Sequence, residues 1–169
     1  MPNAIQLLVE DHNKVRDLLK RLCESSQRAQ KTRSQLLDEI DLELQIHTTI
    51  EEEIFYPAFK AAGDKEESVM FYEAVEEHRA VEELVLPDLK KTDPGSERFS
   101  GRAKVLKELI EHHADEEEKD MFPRAKKLFS KAELETLGEE MKLRKEAMKA
   151  ELKPKARAAR NGKSAEQRA

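Results

Sequence analysis

The stretch Ile46-His47-Thr48-Thr49-Ile50-Glu51-Glu52-Glu53-Ile54-Phe55-Tyr56-Pro57 decides how the rest of the chain is read. It recurs in altered form at His112-His113-Ala114-Asp115-Glu116-Glu117-Glu118-Lys119-Asp120-Met121-Phe122-Pro123. In both copies a Glu follows the His by four residues and a Pro follows it by ten. Four residues is just over one helical turn, so imidazole and carboxylate share a face and can hold one ion together. Two more histidines extend the pattern: His12 stands 35 residues before His47, and His78 stands 35 before His113. A shift of 66 residues superimposes His12, His47, Glu51 and Pro57 on His78, His113, Glu117 and Pro123. The chain reads as a duplicated helical hairpin that builds one metal site between its copies.

A chain of 169 residues is long enough for one domain with a sizeable core and a tail. With 40% charged residues and five glycines, it favours long amphipathic helices over sheet. No apolar run approaches the roughly 18 to 20 residues that span a bilayer. Met1-Pro2-Asn3-Ala4 lacks the basic start and apolar block of a signal peptide, so a cytoplasmic location is the default expectation. Cys23 is the single cysteine, which excludes an intrachain disulfide, and nothing adjacent marks it as an activated thiol. Residues 142–169 carry ten Lys or Arg against three Glu, while the whole chain is at −5. An acidic body with a basic tail is not the footprint of a dedicated nucleic-acid-binding domain, but it does concentrate cations.

In chain order, Asn3 caps a first helix expected to run to about residue 27, with the stripe Ile5, Leu8, Val15, Leu19 and Leu22. The one gap in that stripe is His12. A lone core histidine is most often bonded to a neighbour, and the 35-residue echo is what reverses that reading here. Residues 28–34 read as a turn with Thr32 or Ser34 as cap, and the second helix should end at Ala62 before Gly63. Its stripe is Leu37, Ile40, Leu44, His47, Glu51 and Ile54, while Glu52 and Glu53 read as a solvated face. Burying Glu51 beside Leu and Ile is costly unless a proton or a cation neutralises it. Pro57 should kink this helix or end its regular bonding.

The third helix, about 65–92, carries Phe71, Ala74, His78, Val81, Val85 and Leu89; Glu82, four after His78, reads as a flank pair rather than a ligand. Asp93-Pro94-Gly95-Ser96 breaks the chain. The fourth helix, about 97–128, has Ala103, Leu106, Ile110, His113, Glu117 and Met121 on one stripe. His112 and Glu116 are also four apart, but the distances to Pro123 and His78 select His113 and Glu117. Ser130-Lys131-Ala132-Glu133 is a capping box that starts a fifth, weakly amphipathic helix with Leu134, Leu137, Met141 and Met148, expected to end before Pro154.

The expected fold is all-α: an up-down-up-down four-helix bundle with a short fifth C-terminal helix. The domain should span 1–152, with 153–169 a basic, disordered tail. The candidate metal ligands are His12, His47, Glu51, His78, His113 and Glu117. Two ions bridged by Glu51 and Glu117, each with two histidines and open solvent positions, account for every one of them. Imidazole and carboxylate without thiolate suit iron, zinc or manganese. The partner is then a small diatomic molecule or a peroxide. By spacing, neither Tyr56 nor Tyr72 lies on a metal stripe, so no redox tyrosine and no catalytic side chain is assigned.

The order His, His-x3-Glu, His, His-x3-Glu over residues 5 to about 150 resembles the hemerythrin-like HHE cation-binding family. That resemblance implies a non-haem di-iron centre with these six residues as ligands, bridged by the two carboxylates and an oxygen. It also implies binding of oxygen, nitric oxide or peroxide, or iron handling, with a catalase- or peroxidase-like enzyme as the alternative. Oxygen-carrying members have a histidine where this chain has Ala74, and an Asp where it has Glu118. A site poorer in nitrogen points away from stable oxygen carriage.

Overall fold

The computed structural model describes residues 2–152 in full and, beyond them, the helical backbone to residue 166. Five helices make up the described chain, and no strand occurs among the described residues. Helix α1 is Ala4–Glu24, and Asn3 caps it as expected: its side chain accepts from the Gln6 N–H, and Gln6 reaches back to the Asn3 N–H. Helix α2 starts at Gln30, earlier than the Thr32 or Ser34 cap expected, and its N-cap Ala29 has no side-chain bond. The reason is Arg33. Buried inside the first turn, its guanidinium donates to Ser25 O and Oγ, Pro94 O and Ser100 Oγ, tying together the residues that a cap would otherwise organise.

Helix α2 comprises Gln30–Ile50, a π-helical turn Glu51–Phe55 and a last α-helical part Tyr56–Ala62. Helix α3 repeats the plan as Lys65–Ala80, Val81–Val85 and Leu86–Lys90, and α4 as Glu97–Glu116, Glu117–Met121 and Phe122–Leu128. In each, a proline (Pro57, Pro87, Pro123) is the second residue after the π turn. Proline removes an N–H and its ring collides with the carbonyl four residues back. Widening the turn by one residue relieves the collision, and the N–H of Tyr56, Leu86 and Phe122 then bonds the carbonyl five residues back. Pro57 therefore disturbs the bonding as expected without ending the helix.

Helix α5 is Lys131–Glu166, 36 residues that run past the expected stop at Pro154. It is not short. The Ser130/Glu133 capping box starts it, and Leu134, Met141 and Met148, seven residues apart, are buried where it packs along α1 and α2. The expectation of a disordered basic tail at 153–169 falls on residues outside those described in full. Gly138 lets α5 lie against the start of α1: a Cβ there would sit 2.8 Å from the Ala4 backbone nitrogen and 2.9 Å from the Pro2 carbonyl oxygen. Alanine gains about 1 kcal/mol in helix propensity, but backbone must move to admit it. Gly138→Ala is expected to lower stability by a net ~1–2 kcal/mol, read as a lower Tm; an unchanged or raised Tm would contradict the close approach.

The core is two apolar layers with a polar layer between them. One contains Leu8, Ile50, Phe55, Phe59, Ala74 and Met121; the other contains Val15, Leu19, Ile40, Leu44, Val81 and Leu106. The histidines lie in sequence between members of the two layers on every one of the first four helices. No described helix is long and apolar enough to cross a membrane.

Candidate metal centre

Helix α1 supplies His12, α2 supplies His47 and Glu51, α3 supplies His78, and α4 supplies His113 and Glu117, all buried. Their donor atoms form two groups. In the first, His47 Nε2 is 3.1 Å from Glu51 Oε1, and His12 Nε2 is 3.1 Å from Glu117 Oε2. In the second, His78 Nε2 is 3.0 Å from His113 Nε2 and 3.3 Å from Glu51 Oε2. Glu51 thus turns one oxygen to each group, and Glu117 Oε2 faces His12 and, at 3.7 Å, His113. Within each group the donor atoms lie within 4.8 Å of one another. The structure brings all six residues singled out by spacing into one place. His12 Nε2, Glu51 Oε1 and Glu117 Oε2 are buried with no hydrogen-bond partner. Such atoms cost free energy unless something else satisfies them, and a cation among four imidazoles and two carboxylates would do so. The clusters are compatible with metal binding.

Residues 3–125 match the hemerythrin HHE cation binding domain. The chain belongs to this family. It is 33% identical over 148 residues to the uncharacterized protein Rv2633c of Mycobacterium tuberculosis (strain H37Rv), spanning 87% of this chain and 88% of that protein. The uncharacterized protein Mb2666c of Mycobacterium bovis matches to the same extent. A similar solved structure is the Rv2633c homolog from Mycobacterium kansasii, described as a hemerythrin HHE cation binding domain-containing protein, with a TM-score of 0.81 and 34% identity over 93% of each chain.

In this HHE domain a carboxylate stands behind every inner histidine, within hydrogen-bond reach of Nδ1 on His12, His78 and His113 and farther off on His47, whose Nδ1 has no hydrogen-bond partner. Glu118 holds His12 at 2.8 Å, Glu52 holds His78 at 2.8 Å, Glu77 holds His113 at 2.6 Å, and Asp11 stands 3.6 Å from His47. Such partners keep the proton on Nδ1 and aim Nε2 inward. The duplication extends to them: Asp11 and Glu77 each precede the first histidine of a copy, and Glu52 and Glu118 each follow its glutamate. Glu118 therefore supports His12 from outside. Glu52 is exposed, as expected of a solvated face, and from there it reaches across to α3. Two outer carboxylates carry their own cations, Arg16 on Glu118 and, from α5, Lys145 on Asp11.

Tyr56, which spacing placed off the stripe, lies inside. Fully buried, it donates to Glu117 Oε1 at 2.7 Å and stands 3.3 Å from Glu51 Oε2 and His78 Nε2 and 3.4 Å from His113 Nε2. A regular helix turns about 100° per residue, which would leave residue 56 about 140° from residue 51. The π turn rewinds that difference and stacks i+5 over i. Phe122, the matching residue of the second copy, stacks on His12 at 5.8 Å between centroids. Tyr72 is exposed, Glu82 accepts from Thr48, and His112 is 62% exposed beside Glu116, while His113 is buried.

Electrostatics follow from burial against charge. Burial alone would lower the His47 pKa, but the charges of Glu51 and Asp11 outweigh it and push it up to about 10. Burial likewise opposes a rise of the His78 pKa, but bonds to Glu51 and Glu52 outweigh it and push it up to about 9. Glu51 resists its burial and is held well below the usual carboxylate range by His47 and His78. Tyr56 is driven well above 10 by burial and by the Glu117 and Glu51 charges, so it stays a neutral phenol. At neutral pH both His47 and His78 carry a proton that an incoming cation must displace. Loading at pH 7 is therefore expected to release about two protons per chain and to tighten as pH rises toward 9. Calorimetry in buffers of different ionisation enthalpy measures this; loading without proton uptake by the buffer would contradict it.

Proposed function

We propose that this HHE domain is a non-haem di-iron protein, in which the first four helices run up-down-up-down around the site. On this reading, His12 and His47 hold one ion, His78 and His113 hold the other, and Glu51 and Glu117 bridge them. The observation that carries it is Glu51, which turns one oxygen to each pair of imidazoles, with Glu117 Oε2 3.1 Å from His12 and 3.7 Å from His113. Two nitrogen and two carboxylate donors per ion leave room for a further small ligand, unlike a closed four-coordinate structural zinc site. Bound iron would supply one-electron redox chemistry and affinity for oxygen, nitric oxide or peroxide.

The protein's own contribution is positional. Apolar layers on both sides exclude water, the outer carboxylates orient the imidazoles, and Tyr56 keeps a proton at its hydroxyl pointed at Glu117. That proton favours a second reading, peroxide disproportionation, because a phenol at the site can donate to and recover from a peroxide oxygen. The first experiment is metal content per chain after expression with iron available, taken with the visible spectrum. About two irons per chain with bands that change on adding azide or peroxide supports the di-iron reading. Zinc or manganese alone, or no metal with an unchanged Tm, would overturn it. A peroxide turnover assay on the iron-loaded protein tests the second reading, and a rate no higher than that of free iron sinks it.

A further inference from the structure

The six inner residues are each at most 7% exposed, so an ion arriving from solvent must pass the protein wall. His113 is the most exposed of them, and with Glu117 it lines a cleft of about 240 Å³ between α3 and α4. Glu73, Glu77, Glu116 and Asp120 line the same cleft. Its Arg124 is already engaged by Glu66 and Glu67. The cleft is therefore strongly acidic. At its edge stands a second His-x3-Glu pair, one residue out of register with the buried one: His112 Nε2 is 3.2 Å from Glu116 Oε1 and 3.8 Å from Glu77 Oε1. Donor atoms of these three residues lie within 4.8 Å of one another. Glu77 also belongs to the inner centre, since its Oε2 is 2.6 Å from His113 Nδ1. At the inner end of the cleft, Glu117 is 2% exposed and its Oε2 has no hydrogen-bond partner. One carboxylate thus joins an exposed imidazole–carboxylate cluster to the buried one.

We propose that Glu77, His112 and Glu116 form an outer divalent-cation site that takes metal ions from solvent and passes them along the acidic cleft to the buried centre. The inference rests on the reading of that centre as a metal site. Three donors, one exposed and two half-buried, leave an ion partly hydrated and quick to exchange, which suits transit and not storage. The surrounding carboxylates raise the local cation concentration and the encounter rate, an effect that salt weakens.

The test uses the full chain, freed of metal, with cobalt(II) as the probe and its visible absorption followed by stopped flow. Glu77 is left in place because it positions His113, and the variant is His112→Gln/Glu116→Gln. Loading at limiting cobalt is expected to slow about tenfold, with the same final content of two ions per chain after desalting. Exposed Glu97→Gln, a matched charge loss on α4, should load like wild type, and raised ionic strength should shrink the difference. Equal loading rates for the double variant and wild type would overturn the proposal. A reduced final content would also overturn it, by making His112 or Glu116 part of the centre itself. Failure of the di-iron reading looks different: wild type then takes up no pair of ions at all.

Discussion

On the di-iron reading, Glu51→Ala is expected to reduce metal content from two ions per chain to one or none. Each Glu51 oxygen faces a different pair of histidines, so the substitution takes a donor from both clusters at once. The other acids nearby are engaged elsewhere: Glu117 faces His12, and Glu52 is turned outward to His78 Nδ1. Loss of each ion removes its linkage contribution to folding, about 2.7 kcal/mol per ion at a free metal concentration 100 times Kd. For a chain of this size that is a drop of roughly 5–10 °C in Tm under loading conditions. Metal analysis after desalting and thermal denaturation with and without added iron measure both effects. Glu51→Gln, which keeps the shape, separates charge from packing and should still fail to load. Two ions retained in either variant would sink the bridging assignment. In the metal-free protein the sign of the pH effect is also fixed. The Glu51 pKa is depressed, so its stabilising contribution is present above the ordinary carboxylate range and is lost as pH falls through the lowered value.

Much of this centre could be read from the sequence because the duplication places its members at fixed offsets. His12, His47, Glu51, His78, His113 and Glu117 each interrupt an apolar stripe, and a polar residue on a core face is conspicuous. The outer carboxylates were harder to see. Asp11, Glu52, Glu77 and Glu118 occupy positions that a helical wheel sends toward solvent, and each serves a histidine on a different helix. The 66-residue offset could have found them, since it pairs Asp11 with Glu77 and Glu52 with Glu118. Lys145 carried no such signal. Its place beside Asp11 depends on how α5 docks, which a weak stripe of Leu134, Met141 and Met148 did not reveal. Tyr56 was missed for a physical reason: constant rotation per residue fails across a π turn. The proline one residue later was the available clue, and its recurrence after Leu86 and Phe122 shows that the same device shapes three helices.

The two copies are not equivalent, and Tyr56 is where they differ most. At the matching position the second copy has Phe122, so only the first copy brings a hydroxyl to the site. Tyr56→Phe removes that hydroxyl and little else. In the metal-free protein Glu117 Oε1 then loses its partner, at a cost of about 1–3 kcal/mol. In the loaded protein the same oxygen has an ion to bind, so the loss of stability should shrink, and two ions per chain should remain. Chemistry is where the effect should be large. If the phenol hands a proton to a peroxide oxygen, turnover per iron pair should fall by about 10²-fold or more, while azide still perturbs the spectrum. The phenol's pKa, held well above 10, means that the donor form persists across neutral and mildly alkaline pH, so any pH dependence of turnover must come from other groups. Unchanged turnover would confine Tyr56 to orienting Glu117 and favour simple ligand binding over catalysis. Loss of one ion would instead make Tyr56 a direct support of metal binding, which its 3.3 Å and 3.4 Å distances from His78 and His113 do not by themselves require.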